Sequence, residues 1–140
     1  MDTETKIYVS NDLGIVMARM QAREIARQMG FGTADQARFS LAASELARVL
    51  SWATREPSEL VISNTNRNGH SGLQMACLVR REYLPSEGSL NGDRGGSVPG
   101  RSLAGACQLV DESVIEVETQ NSEQARITLI KWLNGKDAYQ

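Results

Sequence analysis

The residues best placed to do chemistry in this chain are Glu45 and its neighbours on one helical segment. The sequence Ser-Glu-Leu-Ala-Arg-Val at 44–49 lies inside a long helical pattern. Side chains four residues apart share one face of a helix, so Glu45 and Val49 are expected to have the same surroundings. A carboxylate can act as a general base, or it can pair with Arg48 or Arg38. Val49 offers no polar atom, so this face carries a single candidate base.

No other constellation of reactive side chains is visible in the sequence. It contains no serine-nucleophile motif, no cluster with metal-ligand spacing and no dinucleotide-binding fingerprint, so we expect no metal site. The two cysteines, Cys77 and Cys107, are far apart and lack the spacing of a metal or redox pair. We interpret them as reduced cysteines packed in a cytoplasmic domain.

Length and composition predict one domain spanning 1–140. The chain has 140 residues, 41% of them hydrophobic, and a net charge of −2. A domain of that size buries enough surface to form a core without disulfides or metals. The near balance of charge, without a Lys/Arg block, argues against a nucleic-acid binder. The N-terminus is too polar for a signal peptide, and no apolar run approaches the roughly 20 residues of a membrane span.

Two helices are predicted in the first half of the chain, after a short strand at 6–10. Between residues 13 and 29, apolar side chains recur at helical spacing and arginines repeat every four residues on another face. The apolar set is Leu13, Val16, Met17, Met20, Ile25 and Met29, and the arginines are Arg19, Arg23 and Arg27. The Gly-Phe-Gly sequence at 30–32 ends this helix, and Thr33 with Gln36 forms a capping box that starts the next one.

The second helix, about 33–55, is predicted to bury one stripe of side chains and to end before Pro57. The stripe consists of Phe39, Ala42, Ala43, Leu46, Leu50 and Ala53. Glu45 and Val49 lie beside this stripe, not opposite it. Glu45 is therefore expected at the border of the buried face.

The second half of the chain is predicted to supply four strands and a third helix. Strands at 60–63 and 73–79 flank a polar turn and form a hairpin, and strands at 113–119 and 125–132 form a second one. A short helix at 101–111 lies between the hairpins. Its inward residues are Leu103, Ala106, Cys107 and Val110. The order β-α-α-β-β-loop-α-β-β predicts an α+β two-layer sandwich, with about three helices on one face of a mostly antiparallel sheet.

Several short sequences in the first half occur in an order and at spacings that point to one family. They are Arg19, Arg-Glu-Ile-Ala at 23–26, Gly-Phe at 30–31, Asp-Gln-Ala-Arg at 35–38 and Ser-Glu-Leu-Ala-Arg at 44–48. Together they resemble the RsbT-like and RsbW-like anti-sigma and switch kinases of bacterial partner-switching systems, members of the GHKL ATPase superfamily (the Bergerat, or HATPase, fold). The predicted order of elements is also that of the GHKL fold.

The resemblance implies a nucleotide site of which this chain lacks several parts. In the family the helix reads Glu-x-x-x-Asn, where the Glu acts as base and the Asn holds the magnesium of ATP. Here Glu45 is present and Val49 takes the place of the Asn. The family's Asp-x-Gly-x-Gly box, which contacts the adenine, would fall near residues 79–84, where the Asp and the glycines are missing. Magnesium requires hard oxygen ligands, which valine cannot supply.

The segment 86–100 and the helix after it resemble the family's lid, whose backbone N–H groups bind phosphate. Five glycines lie from Gly88 to Gly100, but their spacing does not restore the family motif. A structureless loop of this length is uncommon in a compact domain. It is either a decayed ATP lid or a surface loop without function. The resemblance makes Val49, Gly100 and Gly105 the positions bordering the pocket.

The resemblance further implies a pseudokinase-like regulatory domain of an anti-sigma or stress-response circuit, which binds proteins while ATP binding is impaired or absent. The implied partners are a STAS-domain antagonist, a sigma factor or a PP2C-type phosphatase module, with a homodimer as a further option. Arg19, Arg23 and Arg27 form either a docking face for such a partner or a solvated helix face. The alternative function is an active serine/threonine kinase of a STAS-domain partner, with Glu45 as base and ATP and Mg²⁺ as cofactors.

Overall fold

The computed structural model describes residues 4–53, 58–84 and 98–134. Within these ranges, three α-helices and five strands follow one another in the predicted order. They are β1 (Glu4–Val9), α1 (Asp12–Met29), α2 (Thr33–Ala53), β2 (Ser58–Arg67), β3 (His70–Arg80), α3 (Val98–Gln108), β4 (Glu112–Val117) and β5 (Gln124–Trp132). A 3-10 turn, Arg81–Tyr83, follows β3.

The five strands form one antiparallel sheet in the order β1-β2-β3-β5-β4. β2 and β3 are joined by Asn68 and Gly69, whose φ angles are 54° and 87°. A two-residue turn of this kind needs positive φ at both positions, which Asn and Gly adopt at little cost. The predicted hairpin is confirmed, with longer strands and a tighter turn than expected. α2 packs on β1, β2 and β3, and the predicted α+β sandwich is confirmed.

α2 forms the centre of the helical layer and contacts both α1 and α3. The predicted core residues of α2 whose side chains are described are fully buried. They are Phe39, Ala42, Ala43, Leu46 and Leu50. Alternate residues of the sheet cover them from below, among them Leu60, Leu73 and Ile127. In α3, Leu103 and Ala106 are buried as predicted, whereas Cys107 is only half-buried. Val110, also half-buried, lies beyond the end of the helix.

α1 buries its small residues and exposes most of its large ones. The buried set is Gly14, Ile15, Ala18, Ala22 and Ala26. Leu13 and Met20 are 67% and 61% exposed, and Val16 and Met17 are each 39% exposed. The apolar spacing therefore predicted the helix correctly but not the face that it buries. The cause is close packing, since a Cβ at Gly14 would lie only 3.0 Å from the Cα of Val9.

Both ends of α1 follow from local residues, whereas the start of α2 differs from the prediction. The side chain of Asn11 accepts a hydrogen bond from Gly14 N and caps α1, and Gly30, with φ of 96°, ends it. The predicted capping box at the start of α2 is wrong. α2 begins at Thr33 itself, and the amide of Gln36 donates to the carbonyl oxygen of Phe31 at 2.8 Å. The Gln36 side chain thus donates to the Gly-Phe-Gly turn, whereas a capping box would use its oxygen to accept from the backbone N–H of Thr33.

Candidate functional site

α2 gives Glu45 and Val49 different surroundings, although they are four residues apart. Val49 is fully buried within the hydrophobic core. The side chain of Glu45 is 30% exposed. The prediction of a shared environment is wrong because α2 packs against α1, α3 and the sheet, so most of its circumference is covered. A magnesium ligand would have to leave the core to act from position 49.

Glu45 is held only weakly by its neighbours. Its Oε2 lies 3.9 Å from Nε of Arg48, while the other candidate partner, Arg38, donates to Asp35 at 3.0 Å. A part-exposed ion pair of that length contributes well under about 1 kcal/mol. The carboxylate of Glu45 is therefore accessible to a ligand or a proton donor.

Arginines and a 3-10 turn occupy the position after β3 where the family carries its adenine-contacting box. Arg80 pairs with Glu82 at 2.8 Å, and the backbone N–H of Arg81 donates to the carbonyl oxygen of Glu123 at 2.7 Å. These residues and Ser122 line an open depression of about 500 Å³. None of the described residues that line it is a glycine or an Asp, the residue types that contact adenine in the family.

α3 carries both glycines that were assigned to the pocket. Gly100 is buried in the first turn of the helix. A Cβ at Gly105 would meet no atom of the described residues within 4 Å, so packing does not require a glycine there. Most of the predicted lid, 85–97, lies outside the described residues. α3 begins at Val98 and ends at Gln108, three residues earlier at each end than predicted.

The three arginines predicted to form a docking face are all exposed on α1, but they differ in their partners. Arg27 donates two hydrogen bonds to Glu24, from Nη2 to Oε1 at 2.6 Å and from Nε to Oε2 at 2.9 Å. The hydrogen bond from Arg27 lowers the pKa of the Glu24 carboxyl. Arg19 and Arg23 form no ion pair with any residue in the described parts of the chain. Of the three arginines, Arg19 and Arg23 are therefore the ones whose guanidinium groups are available to a partner.

The chain was compared with known proteins by sequence. No protein-family model matches it. It is 30% identical over 137 residues to the serine/threonine-protein kinase RsbT of Bacillus subtilis (strain 168), and the match covers 95% of this chain and 99% of RsbT. The chain belongs to the RsbT family. The residues quoted from its first half therefore identified the family correctly.

Two solved structures share this fold at low sequence identity. The RsbU and RsbW domains of Rv1364c from Mycobacterium tuberculosis match with a TM-score of 0.59 at 17% identity, over 94% of this chain and 32% of that one. The SiaB–SiaC complex from Pseudomonas aeruginosa matches with a TM-score of 0.52 at 10% identity, over 91% of this chain and 89% of that one. At these identities the likeness shows the fold, and it agrees with the predicted GHKL architecture.

A buried polar cluster that the sequence did not reveal joins α2 to the end of the sheet in this RsbT-family chain. Lys131 is 5% exposed, and its Nζ lies 3.2 Å from Oδ1 of Asp111 and 3.4 Å from Oδ1 of Asp35. Asp111 also accepts a hydrogen bond from Trp132 N at 2.7 Å. The one available signal was a lysine in the apolar run 127–133, which a strand buried on both faces would not otherwise carry.

Trp132 extends this cluster to the hairpin of β2 and β3. Its Nε1 donates to Glu112 Oε2 at 2.6 Å, and the guanidinium carbon of Arg67 lies 4.9 Å from the ring centroid. Arg67 also donates to both carboxylate oxygens of Glu112 at 3.0 Å. Burial alone would raise the pKa of Glu112, but the hydrogen bonds from Trp132 and Arg67 outweigh it and lower the pKa.

The two cysteines are free thiols with unreactive surroundings. Burial raises the pKa of Cys77 to about 12 and also raises the pKa of the half-buried Cys107. Within residues 4–53, 58–84 and 98–134, no helix is long and apolar enough to cross a membrane. The same ranges hold no group of three His, Cys, Asp or Glu side chains placed to bind a metal ion.

Proposed function

We propose that this chain is a regulatory domain of a bacterial partner-switching circuit that acts by binding a protein partner, with ATP binding impaired or absent. Membership of the RsbT family supports the regulatory role. The burial of Val49 in the core is the observation that carries the loss of ATP binding. An RsbT-like protein of this kind would keep the fold as a binding surface.

The physical case for weak ATP binding rests on three missing groups, which are the magnesium ligand at position 49, the adenine-contacting Asp and the glycines of its box. Magnesium needs oxygen ligands in near-octahedral geometry, and a fully buried valine supplies neither an oxygen nor room for water. Phosphoryl transfer depends mainly on positioning and on charge neutralisation by that metal. The absent adenine-contacting Asp removes a hydrogen bond to a charged group, about 1.5–3 kcal/mol or roughly ten- to a hundredfold in affinity.

A protein partner is supported by Arg19 and Arg23, which are exposed and form no ion pair with a described residue. The partner classes that fit the family resemblance are a STAS-domain antagonist, a sigma factor and a PP2C-type phosphatase module. The two solved structures described above contain a second protein or domain, SiaC in one case and RsbU in the other. Those associations belong to those proteins, and by analogy they support a protein ligand here.

Calorimetric titration with Mg-ATP, together with thermal unfolding in millimolar Mg-ATP, tests the proposal. We expect no binding heat and no rise in Tm. A ligand present at about 100 times its Kd would stabilise the chain by about 2.7 kcal/mol, which a melting curve resolves easily. Bacillus subtilis RsbT, titrated under the same conditions, is the positive control. Micromolar binding by the chain would contradict the proposal.

The second candidate function is an active serine/threonine kinase, favoured by the accessible carboxylate of Glu45. Transfer of labelled γ-phosphate from ATP to a purified STAS-domain protein would be measured. If the chain is a kinase, Glu45→Ala abolishes transfer, whereas the same change at the exposed Glu116 leaves it intact. Absence of transfer with the wild-type chain would reject this candidate.

A further inference from the structure

The exposed face of α1 carries a set of apolar side chains that the packing of the domain does not explain. Leu13, Val16, Met17 and Met20, which we call the α1 seam, follow the i, i+3, i+4, i+7 spacing of one helix face. On a solvated helix this face is normally charged. Mostly small residues form the side of α1 that faces the core, so the seam is not needed to pack α1 against the domain.

Beyond Met20, charged residues take the positions of α1 that continue the line of the seam. The spacing from Leu13 to Val16 and Met20 alternates by three and four residues, and continuing it reaches Arg23 and Arg27. Alternation by three and four is the spacing at which two helices pack along a common seam. One heptad of the seam is therefore apolar, and the next is cationic.

The charges at the cationic end are only partly neutralised within the chain. Arg27 forms an ion pair with Glu24, whereas Arg19 and Arg23 form no ion pair with any described residue. A partner that covers the seam would therefore bring two guanidinium groups towards its own surface. Carboxylates on that partner would complete the pairing.

We propose that the α1 seam docks an amphipathic helix of a partner protein, whose apolar residues cover the seam and whose carboxylates meet Arg19 and Arg23. This inference rests on the proposed function and specifies its partner. The interaction follows the helix-recognition pattern of anchors at i, i+3, i+4 and i+7.

Charge argues against a second copy of this chain as the occupant. A parallel copy would set Arg23 against Arg23. An antiparallel copy would set the arginines against the start of the other α1, where Asp12 is the one carboxylate and the helix dipole is positive. An acidic helix from another protein satisfies both arginines without either conflict.

Two synthetic helical peptides of about three heptads test the inference. Both carry the same apolar seam, and one has glutamates and the other lysines at the positions facing Arg19 and Arg23. Amide shifts of the full chain would be followed by NMR, which detects weak binding and maps it. We expect shifts confined to α1 and its neighbours, and binding of the acidic peptide at least about tenfold tighter than that of the basic one.

Charge-swap variants provide the matched controls. Met20→Glu is expected to weaken binding of the acidic peptide at least about tenfold. Arg23→Glu is expected to reverse the preference, so that the basic peptide binds more tightly than the acidic one. Leu41→Glu and Arg101→Glu place the same changes at exposed positions on α2 and α3 and should leave binding unchanged.

Three outcomes would overturn the inference. They are equal binding of both peptides, shifts outside α1, and a dimer in light scattering that Met20→Glu dissociates, which would make a second copy the occupant. The Mg-ATP titration is independent of α1. If neither peptide binds and the chain also does not bind Mg-ATP, this inference is wrong while the proposed function remains supported.

Discussion

Val49 is a position at which one side chain decides whether a magnesium ligand can exist. We predict that Val49→Asn lowers the free energy of unfolding by about 1–3 kcal/mol, because the core offers the new amide no partner. We also predict that the variant gains no Mg-ATP binding, since the residues after Val79 still lack the Asp and the glycines. Urea unfolding and calorimetry with Mg-ATP measure the two effects.

The matched control is Val16→Asn, which makes the same change on a helix at a position 39% exposed. Valine and asparagine have similar helix propensities, so its stability should change by less than about 0.5 kcal/mol. Micromolar ATP binding by the Val49→Asn protein would show that the metal ligand alone was missing and that the pocket is otherwise complete.

The difference between Glu45 and Val49 shows what a helical wheel does not contain. The wheel gives the angle of each side chain around the helix, and it places both residues beside the core stripe. It does not give how much of the circumference the neighbouring elements cover. α2 is covered by α1, α3 and the sheet, so its buried face includes Val49 and ends near Glu45.

At the scale of elements, α1 shows a second limit of pattern reading. Its apolar spacing predicted a helix, and the helix ends at Gly30 as expected. The buried side could not be predicted, because it depends on how closely α1 approaches β1. Where backbones lie within contact distance, as at Gly14 and Val9, small residues face inward and large ones are left outside.

The pairing of β3 with β5 depends on a glycine beneath a tryptophan ring. A Cβ on Gly72 would lie 2.7 Å from Cε3 of Trp132 and 2.8 Å from the carbonyl oxygen of Lys131. We predict that Gly72→Ala destabilises the chain by about 1–3 kcal/mol, because a ring and a backbone must shift together. Chemical denaturation followed by tryptophan fluorescence would show the loss.

Gly105→Ala is the control, because it adds the same methyl group to a helix where no described atom lies within 4 Å. Replacing a helical glycine by alanine should stabilise the chain by about 0.5–1 kcal/mol. Equal effects of the two substitutions would contradict the close packing of Gly72 against Trp132.

The hydrogen bonds to Glu112 predict a pH dependence of the β4–β5 region. Its pKa is lowered in the folded chain, so the stabilisation is present above the usual glutamate pKa of about 4.5 and is lost as pH falls through the folded value. We expect Glu112→Gln to lower Tm at pH 7 and to flatten the fall of Tm below about pH 4.5. Glu116→Gln, an exposed change on the same strand, should leave the profile unaltered.

At the scale of the whole molecule, the order of elements and the sheet hairpins could be predicted because their signals are local. Turn residues, helix caps and alternation each act within a few positions. The cluster of Asp35, Asp111 and Lys131 could not be predicted, because it joins α2 to β5 through residues far apart in the chain. Such pairs become neighbours only after the two layers have packed, and no spacing rule connects them.

That cluster predicts how firmly the helical layer is held to the sheet. Lys131→Met keeps much of the side-chain volume but leaves two carboxylates facing a buried site. Breaking a buried ion pair costs about 3–5 kcal/mol, but Asp35 keeps Arg38 and Asp111 keeps Trp132 N as partners. We therefore expect a loss at or just below the lower end of that range, about 2–3 kcal/mol, measured by urea unfolding.

Lys6→Met is the surface counterpart, because Lys6 is exposed and pairs with Glu59 at 3.6 Å. Its cost should be below about 1 kcal/mol. Adding Asp111→Asn to Lys131→Met removes one uncompensated charge, so the double variant should recover part of the loss, a coupling that a double-mutant cycle measures directly. If Lys131→Met costs no more than Lys6→Met, the buried lysine does not hold the two layers together, and apolar packing between α2 and the sheet suffices.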